Sequence, residues 1–99
     1  MLDPTESDQI SKQLKLLSDP TRLRVIQQLL SGAKHVSQLS AILGLDVVAV
    51  SHHLRVLYRG GLVQCRAEGR HKVYSLTEPF SSPQAGTINL GSCQFTMPP

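Results

Sequence analysis

The sequence has no tryptophan and only two tyrosines and two phenylalanines, so its core must be built mainly from aliphatic side chains. No apolar run approaches the roughly 18 residues that a membrane-spanning helix needs. The first residues are polar and acidic, which is typical of neither a secretory signal nor a transit peptide. We therefore expect a single small cytoplasmic domain that has no membrane partner.

Residues that could carry out chemistry are also scarce. The sequence has no Ser/His/Asp set, no paired carboxylates, no phosphate-binding glycine loop and no cluster of metal ligands at workable spacing. These absences predict that the chain is not an enzyme and that it holds no metal and no other cofactor. The two cysteines, Cys65 and Cys93, form no Cys-x-x-Cys pair and are expected to be separate reduced thiols.

Positive charge is concentrated in one part of the chain. The formal net charge of the whole chain is +3 at pH 7. Residues 46–76 hold five Lys or Arg and two Asp or Glu, so this segment alone also has a net charge of +3. Residues 77–99 contain no Lys or Arg at all. A mild surplus of this size fits either a solvated surface or a nucleic-acid-binding surface.

Apolar residues recur at helical spacing in four stretches of the sequence. Ser18 or Asp19 can cap the second of these helices, Asp46 can cap the fourth, and Gly44 can end the third. The third and fourth helices are then separated only by a tight turn, as in a helix-turn-helix. The predicted helices are one of about ten residues from Ser7 or Asp8, one from Pro20 through Leu30, one over Val36–Leu43, and one over residues 47–59.

The fourth helix has two different faces. Val50, Leu54 and Leu57 recur at helical spacing and form an apolar face. The opposite face carries Ser51, His52, Arg55 and Arg59. A helix that is buried on one side and presents hydrogen-bond donors on the other can lie in the major groove of DNA.

After Gly61 the apolar spacing changes from the helical period to about two residues. Residues 62–67 and 72–76 then predict two strands around the turn Glu68–His71, a basic-tipped hairpin that we call the wing. The predicted fold class is therefore α+β, mainly α: a winged helix-turn-helix of about four helices and a two-stranded wing.

The domain organisation follows from these elements. Residues 1–7 are expected to be a disordered lead, residues 8–77 the winged helix-turn-helix domain, and residues 78–99 a linker and an extended C-terminal segment. Alternating apolar residues between Ile88 and Met97 predict a short strand or hairpin and do not suit a helix.

Four motifs, in this order, resemble the ArsR/SmtB family of bacterial winged-helix repressors. They are Leu17-Ser-Asp-Pro-Thr-Arg-Leu-Arg24, Val50-Ser-His-His-Leu-Arg-Val-Leu57, Gly61-Leu-Val63 and Glu68-Gly-Arg70. The combination is more specific than a helix-turn-helix pattern alone. The resemblance implies a homodimer that binds a double-stranded operator of inverted-repeat character and represses transcription. In that family an inducer weakens DNA binding, and this sequence does not identify one.

Carried over to this sequence, the resemblance places several side chains against DNA. Ser51 and His52 would face the bases, and Arg55 would reach a base or a phosphate. Arg70 at the wing tip would touch the backbone or the minor groove, whereas His53 is expected to be a partly buried packing residue. The first turn of the helix is apolar where relatives often carry polar residues, although it can still contact thymine methyl groups. The predicted DNA-binding set is Val47, Val48, Ala49, Ser51, His52, Arg55, Arg70 and Lys72.

Two departures from the family pattern concern metals and dimerisation. The family's metal site on the third helix uses two thiolates, and this sequence has His35 and Ser37 at the matching positions, so soft-metal sensing there is not expected. The usual C-terminal dimerisation helix, which can carry a zinc site, is replaced by the extended segment. A dimer would then rely on the first helix, with strand pairing by residues 88–97 as a further hypothesis.

Two alternative functions stay open. Cys65 and Cys93 could act as a redox switch on a repressor, since Arg66 beside Cys65 could favour a thiolate. A winged helix can also serve as a protein–protein interaction module that never binds DNA, although the basic surplus and the polar helix face argue against it.

Overall fold

The computed structural model describes residues 1–80, 86–91 and 93–97. Its elements confirm the predicted fold class, a winged helix-turn-helix of four helices and a β-hairpin wing. The helices are α1 (Pro4–Leu16), α2 (Pro20–Leu30), α3 (Val36–Leu43) and α4 (Val47–Arg59). The strands are β1 (Lys34–His35), β2 (Val63–Glu68), β3 (His71–Leu76), β4 (Thr87–Asn89) and β5 (Gln94–Thr96), and a 3-10 helix covers Glu78–Phe80.

The helix boundaries lie where the capping residues predicted them. The Asp19 carboxylate accepts a hydrogen bond from the Arg22 backbone N–H at 2.9 Å, and α2 begins directly afterwards with Pro20. Gly44 ends α3 in the left-handed conformation with φ of 67°, which costs a residue without Cβ little. Both caps satisfy backbone groups that a helix end would otherwise leave unpaired.

Helix α1 begins earlier than predicted. The Asp3 carboxylate accepts a hydrogen bond from the Glu6 N–H at 2.8 Å, and the Glu6 carboxylate accepts one from the Asp3 N–H at 3.3 Å. This reciprocal capping box starts the helix at Pro4. The prediction of a disordered lead over residues 1–7 is therefore wrong for residues 4–7, which are helical.

The core is aliphatic, as the shortage of aromatic residues predicted. It lies between the helices and the base of the wing, and β4 adds a side chain to it. Tyr74 and Phe80 only pack against its edge. The largest side chains that are fully buried are Ile26, Leu39, Leu54, Leu57, Leu62, Ile88, Val25 and Val50.

The wing belongs to a three-stranded antiparallel sheet in the order β1-β3-β2. Strands β2 and β3 pair from Val63↔Leu76 to Glu68↔His71, so the turn contains only Gly69 and one further residue. The prediction placed Glu68 and His71 in the turn, and both instead form the last pair of the ladder. A positive φ of 61° at Gly69 allows this tight two-residue connection.

Strand β1 was not predicted. Its two residues pair with the middle of β3, Lys34 with Tyr74 and His35 with Val73. The strand runs directly into α3 without an intervening residue. The wing is therefore hydrogen-bonded to the start of the helix-turn-helix.

The C-terminal segment forms a small antiparallel hairpin, as its alternation predicted. Strands β4 and β5 pair from Thr87↔Thr96 to Asn89↔Gln94. Ile88 and Leu90 are buried in the same core as α4, so this hairpin packs on its own domain. The last part of the predicted linker, residues 81–83, lies outside the described residues.

Within the described residues, no single helix is long and apolar enough to cross a membrane. Helices α3 and α4 meet that test by length and composition only when they are taken together, and the pair is bent by 115°.

Candidate nucleic-acid interface

Helices α3 and α4 have the geometry of a helix-turn-helix. The chain bends by 115° between them, within the range of about 90–120° usual for that motif. The turn is held by Ser40: its hydroxyl donates to the Leu45 carbonyl, and its carbonyl accepts from the N–H groups of Gly44 and Leu45 at 3.0 and 3.2 Å. Asp46 then caps α4 by accepting from the Ala49 N–H at 2.8 Å. These bonds fix the direction in which α4 leaves the turn.

Helix α4 has the two faces that the sequence predicted. Val50, Leu54 and Leu57 are completely buried against the rest of the domain. His52 and Arg55 are exposed on the outer face, while Ser51 is half-buried between the two faces. The outer face of α4 is therefore free to contact a flat or grooved partner.

The first turn of α4 is also open to solvent. Val48 is 79% exposed and Val47 is 50% exposed, whereas Ala49 is half-buried. The N-terminal turn of α4, the helix predicted to lie in the major groove, therefore presents apolar side chains to solvent. Polar groups follow only from the second turn onward.

The eight basic side chains outside α1 fall into two groups, while on α1 Lys12 pairs with Asp8 at 3.2 Å and Lys15 is exposed. Arg22, Arg24 and Lys34 donate to backbone carbonyl oxygens at 2.6, 3.4 and 2.8 Å, so they serve the fold. On the wing, Arg66 is paired with Glu68 at 3.2 Å. Four exposed cations of α4 and the wing make no hydrogen bond or ion pair with any other described residue. These four are Arg55, Arg59, Arg70 and Lys72.

His53 is half-buried, as predicted, and it links α4 to the start of α2. Its Nδ1 lies 3.9 Å from a carboxylate oxygen of Asp19 and has no hydrogen-bond partner among the described residues. The hydrogen bond from the Arg22 backbone N–H, together with the nearby Arg22 and His53 side chains, lowers the pKa of Asp19 below its ordinary value of 3.8. Asp19 therefore stays ionised over the physiological pH range.

His35 has a structural role at the start of α3. Its Nδ1 lies 2.7 Å from the Ser37 hydroxyl and 3.4 Å from the Gln38 N–H, so the imidazole acts as the N-cap. Its ring stacks on that of His71 with centroids 4.5 Å apart. In the part of the chain that the structure describes, no group of three or more His, Cys, Asp or Glu residues could hold a metal ion.

The two cysteines are free and half-buried in different parts of the molecule, Cys65 on the wing and Cys93 beside β5. Cys65 pairs across the ladder with Tyr74. Burial, together with a hydrogen bond to the Cys65 side chain, raises the pKa of Tyr74 above its ordinary value of 10.0. The redox hypothesis uses Arg66 to favour a thiolate at Cys65, but Arg66 is in an ion pair with Glu68. The redox role of the two thiols stays a prediction.

Comparison with known proteins agrees with this geometry. The family model for "Bacterial regulatory protein, arsR family" matches residues 19–64, from the α2 cap to the start of the wing. The transcriptional repressor BigR from Xylella fastidiosa has a TM-score of 0.70 and 30% identity over 74% of each chain. The chain belongs to the ArsR family. Members of this family are transcriptional regulators with winged helix-turn-helix DNA-binding domains, and not enzymes, as the sequence predicted.

Two further relatives extend the comparison of this ArsR-family chain. The HTH-type transcriptional regulator NmtR from Mycobacterium tuberculosis is 41% identical over 76% of this chain, which spans 62% of that protein's length. The homodimeric winged helix-turn-helix DNA-binding domain Mb0332 from Mycobacterium bovis has a TM-score of 0.66 and 28% identity, over 77% of this chain and 72% of that one. The chain therefore spans about six tenths of the length of the curated relative.

Proposed function

We propose that this protein is a cytoplasmic, homodimeric, sequence-specific DNA-binding repressor. The observation that carries the proposal is the division of its basic side chains. Those of α2 are held by backbone carbonyls, while Arg55, Arg59, Arg70 and Lys72 extend from α4 and the wing with no hydrogen-bond or ion-pair partner among the described residues. Exposed, unpaired cations on one helix and one hairpin suit the phosphates that flank a groove.

The outer face of α4 supplies the groups that would read bases. His52 and Arg55 are exposed, and Ser51 borders them. In the proposed complex α4 lies in the major groove, where Arg can bind guanine and Ser or His can donate to base edges. The tip of the wing, residues 67–71, lies along the backbone or the minor groove, where Arg70 contacts phosphate or the groove floor.

A homodimer fits both the family and helix α1. Only Ile10 of α1 is buried, and Leu14 is 44% exposed on the same helix. The related domain Mb0332 is described as homodimeric, and BigR is described as a repressor. We propose that α1 supplies the contact between subunits, which would set two α4 helices about one helical turn, roughly 34 Å, apart on an inverted-repeat operator.

The salt dependence of binding tests the electrostatic part of the proposal. Arg59, Arg70 and Lys72 give three phosphate contacts per subunit and six per dimer, so log K should fall with log salt at a slope of about 5, and of about 7 if Arg55 also contacts phosphate. Arg70→Ala should reduce the slope by roughly 2 per dimer, because it removes one phosphate contact from each subunit. Arg66→Ala is the matched control, since Arg66 lies on the same hairpin but is paired with Glu68 at 3.2 Å, and it should leave the slope nearly unchanged.

The reading helix is tested by substitution. Fluorescence anisotropy would measure binding to the DNA upstream of the gene, and Ser51, His52 and Arg55 would all be changed to Ala. We expect specific binding to fall to the level of a random duplex while the circular dichroism spectrum stays unchanged. Retained specificity in this variant would refute the assignment of α4. Absence of any binding at low salt would favour the protein–protein interaction module instead.

A further inference from the structure

Val48 is an unusual residue for the surface of a stable helix. Its side chain is 79% exposed, more than any other large apolar side chain in the described residues except the N-terminal methionine. A β-branched residue is a weaker helix former than Ala, Glu or Lys. Val48 therefore contributes little to the stability of α4 while it keeps apolar surface in water.

The position of Val48 on α4 gives the side chain a role. At about 100° per residue, Val48 projects within roughly 40° of His52, Arg55 and Arg59, in one row along the helix. The buried row that contains Val50 and Leu57 lies on the opposite side. Val48 is thus the first member of the row that the proposed function turns toward the bases.

The flanking residues leave Val48 alone at this end of the row. Val47 is 50% exposed and Ala49 is half-buried, because each is rotated by about 100° from Val48 toward the body of the domain. The cap by Asp46 fixes the first turn, and a valine in a helix has one strongly preferred χ1 rotamer. The two methyl groups of Val48 are therefore held in place before any ligand binds.

An isopropyl group in the major groove can make only an apolar contact. Among the base edges of unmodified DNA, the apolar group in that groove is the C5-methyl of thymine. We propose that Val48 binds a thymine methyl group and so makes one T·A pair in each half-site a specificity determinant. This inference rests on the proposed function, since it requires α4 to lie in the major groove.

The contact between Val48 and thymine is separable from all hydrogen bonding. Deoxyuridine presents the same O4 acceptor as thymidine and lacks only the methyl group. Burial of one methyl-sized group contributes about 0.8 kcal/mol, which corresponds to roughly fourfold in affinity. Replacement in both half-sites of a dimer's operator should therefore weaken binding about 15-fold.

The experiment begins with selection of tight-binding duplexes from a random library by the purified protein. Fluorescence anisotropy then compares the selected duplex with copies in which each thymidine is replaced in turn by deoxyuridine. We expect one position per half-site to show the fourfold loss. Val48→Ala, which keeps only the Cβ methyl group, should show a clearly smaller difference in affinity between the thymidine and deoxyuridine duplexes than the unaltered protein. Ile42→Ala is the control, because Ile42 is 49% exposed but lies on α3, and it should keep the full difference.

The outcomes separate this inference from the proposed function. If no sequence is enriched by the selection, the proposed function fails. If a sequence is enriched but every thymidine tolerates deoxyuridine, DNA binding stands and the role of Val48 is refuted. The role is likewise refuted if the deoxyuridine penalty has the same size in Val48→Ala as in the unaltered protein.

Discussion

Asp46 is expected to act on folding and on DNA binding in opposite directions. Its carboxylate accepts the Ala49 N–H at 2.8 Å and so caps α4, but it also places a negative charge at the end of the helix that approaches the phosphates in the proposed complex. Asp46→Ala removes both the cap and the charge. Asp46→Asn removes the charge alone, because Asn caps helices about as well as Asp.

The magnitudes of the two effects can be estimated separately. Loss of an N-cap costs about 1 kcal/mol, which lowers the melting temperature of a domain of this size by roughly 4–8 °C. A negative charge ~7 Å from a phosphate is repelled by about 0.6 kcal/mol in water, so removal of one such charge from each subunit should strengthen binding by the dimer roughly sevenfold at low salt. Asp46→Ala should therefore be less stable and bind DNA more tightly, while Asp46→Asn should only bind more tightly.

Urea denaturation followed by circular dichroism at fixed protein concentration measures the first effect, and anisotropy on the selected duplex measures the second. Equal denaturation midpoints for Asp46→Ala and Asp46→Asn would show that the hydrogen bond to Ala49 contributes nothing to stability. Weaker DNA binding by Asp46→Asn would show that the start of α4 does not approach phosphate, which would contradict the proposed docking.

Two further predictions concern stability. Ile88→Ala should lower the free energy of unfolding, measured by urea denaturation, by about 2–5 kcal/mol, because Ile88 is 1% exposed in the shared core. Gln94→Ala is the control, since Gln94 is exposed, and it should change that free energy by less than about 0.5 kcal/mol. Equal effects of the two substitutions would mean that the hairpin is not packed on the domain. Because the pKa of Asp19 is lowered in the folded state, its contribution to stability is present above pH 3.8 and is lost as the pH falls through the folded value. Between pH 7 and pH 3, Asp19→Asn should lose less stability than the unaltered protein, and an equal loss in the two would refute the assignment.

Much of this fold could be predicted from the sequence because its determinants are local. The caps at Asp19 and Asp46 and the stop at Gly44 are single residues that act within one turn. The start of α1 was also locally encoded, since Asp3 and Glu6 have capping-box spacing. That spacing is the signal by which the sequence alone indicates a helix start at Pro4 instead of a disordered lead.

The features that were missed depend on distant partners. Strand β1 has two residues, too few to show a period of two, and it exists because β3 offers a free edge. The alternation around Ile88 predicted a strand but could not indicate that this side chain enters the core beside α4. Short strands carry little information about the surface on which they pack.

The candidate interface also combines features that local sequence predicts with features that depend on tertiary contacts. Helical periodicity was enough to place His52 and Arg55 outside and His53 near the core. It could not distinguish Arg24, which donates to the Leu43 carbonyl, from Arg55, which has no such partner among the described residues. For Arg24 the deciding carbonyl lies 19 residues away in sequence, beyond the reach of a local pattern.

The pairing of β1 with β3 has a consequence for the spacing of contacts within one DNA half-site. Since β1 pairs with β3 and continues directly into α3, backbone hydrogen bonds tie the wing to the helix-turn-helix and resist a change in the separation between α4 and the wing tip. One inserted base pair moves a contact by about 3.4 Å along the duplex axis, a displacement that would have to strain this connection. In the proposed complex, operators of different lengths are therefore tolerated only between the half-sites, where the subunits meet, and never within one half-site.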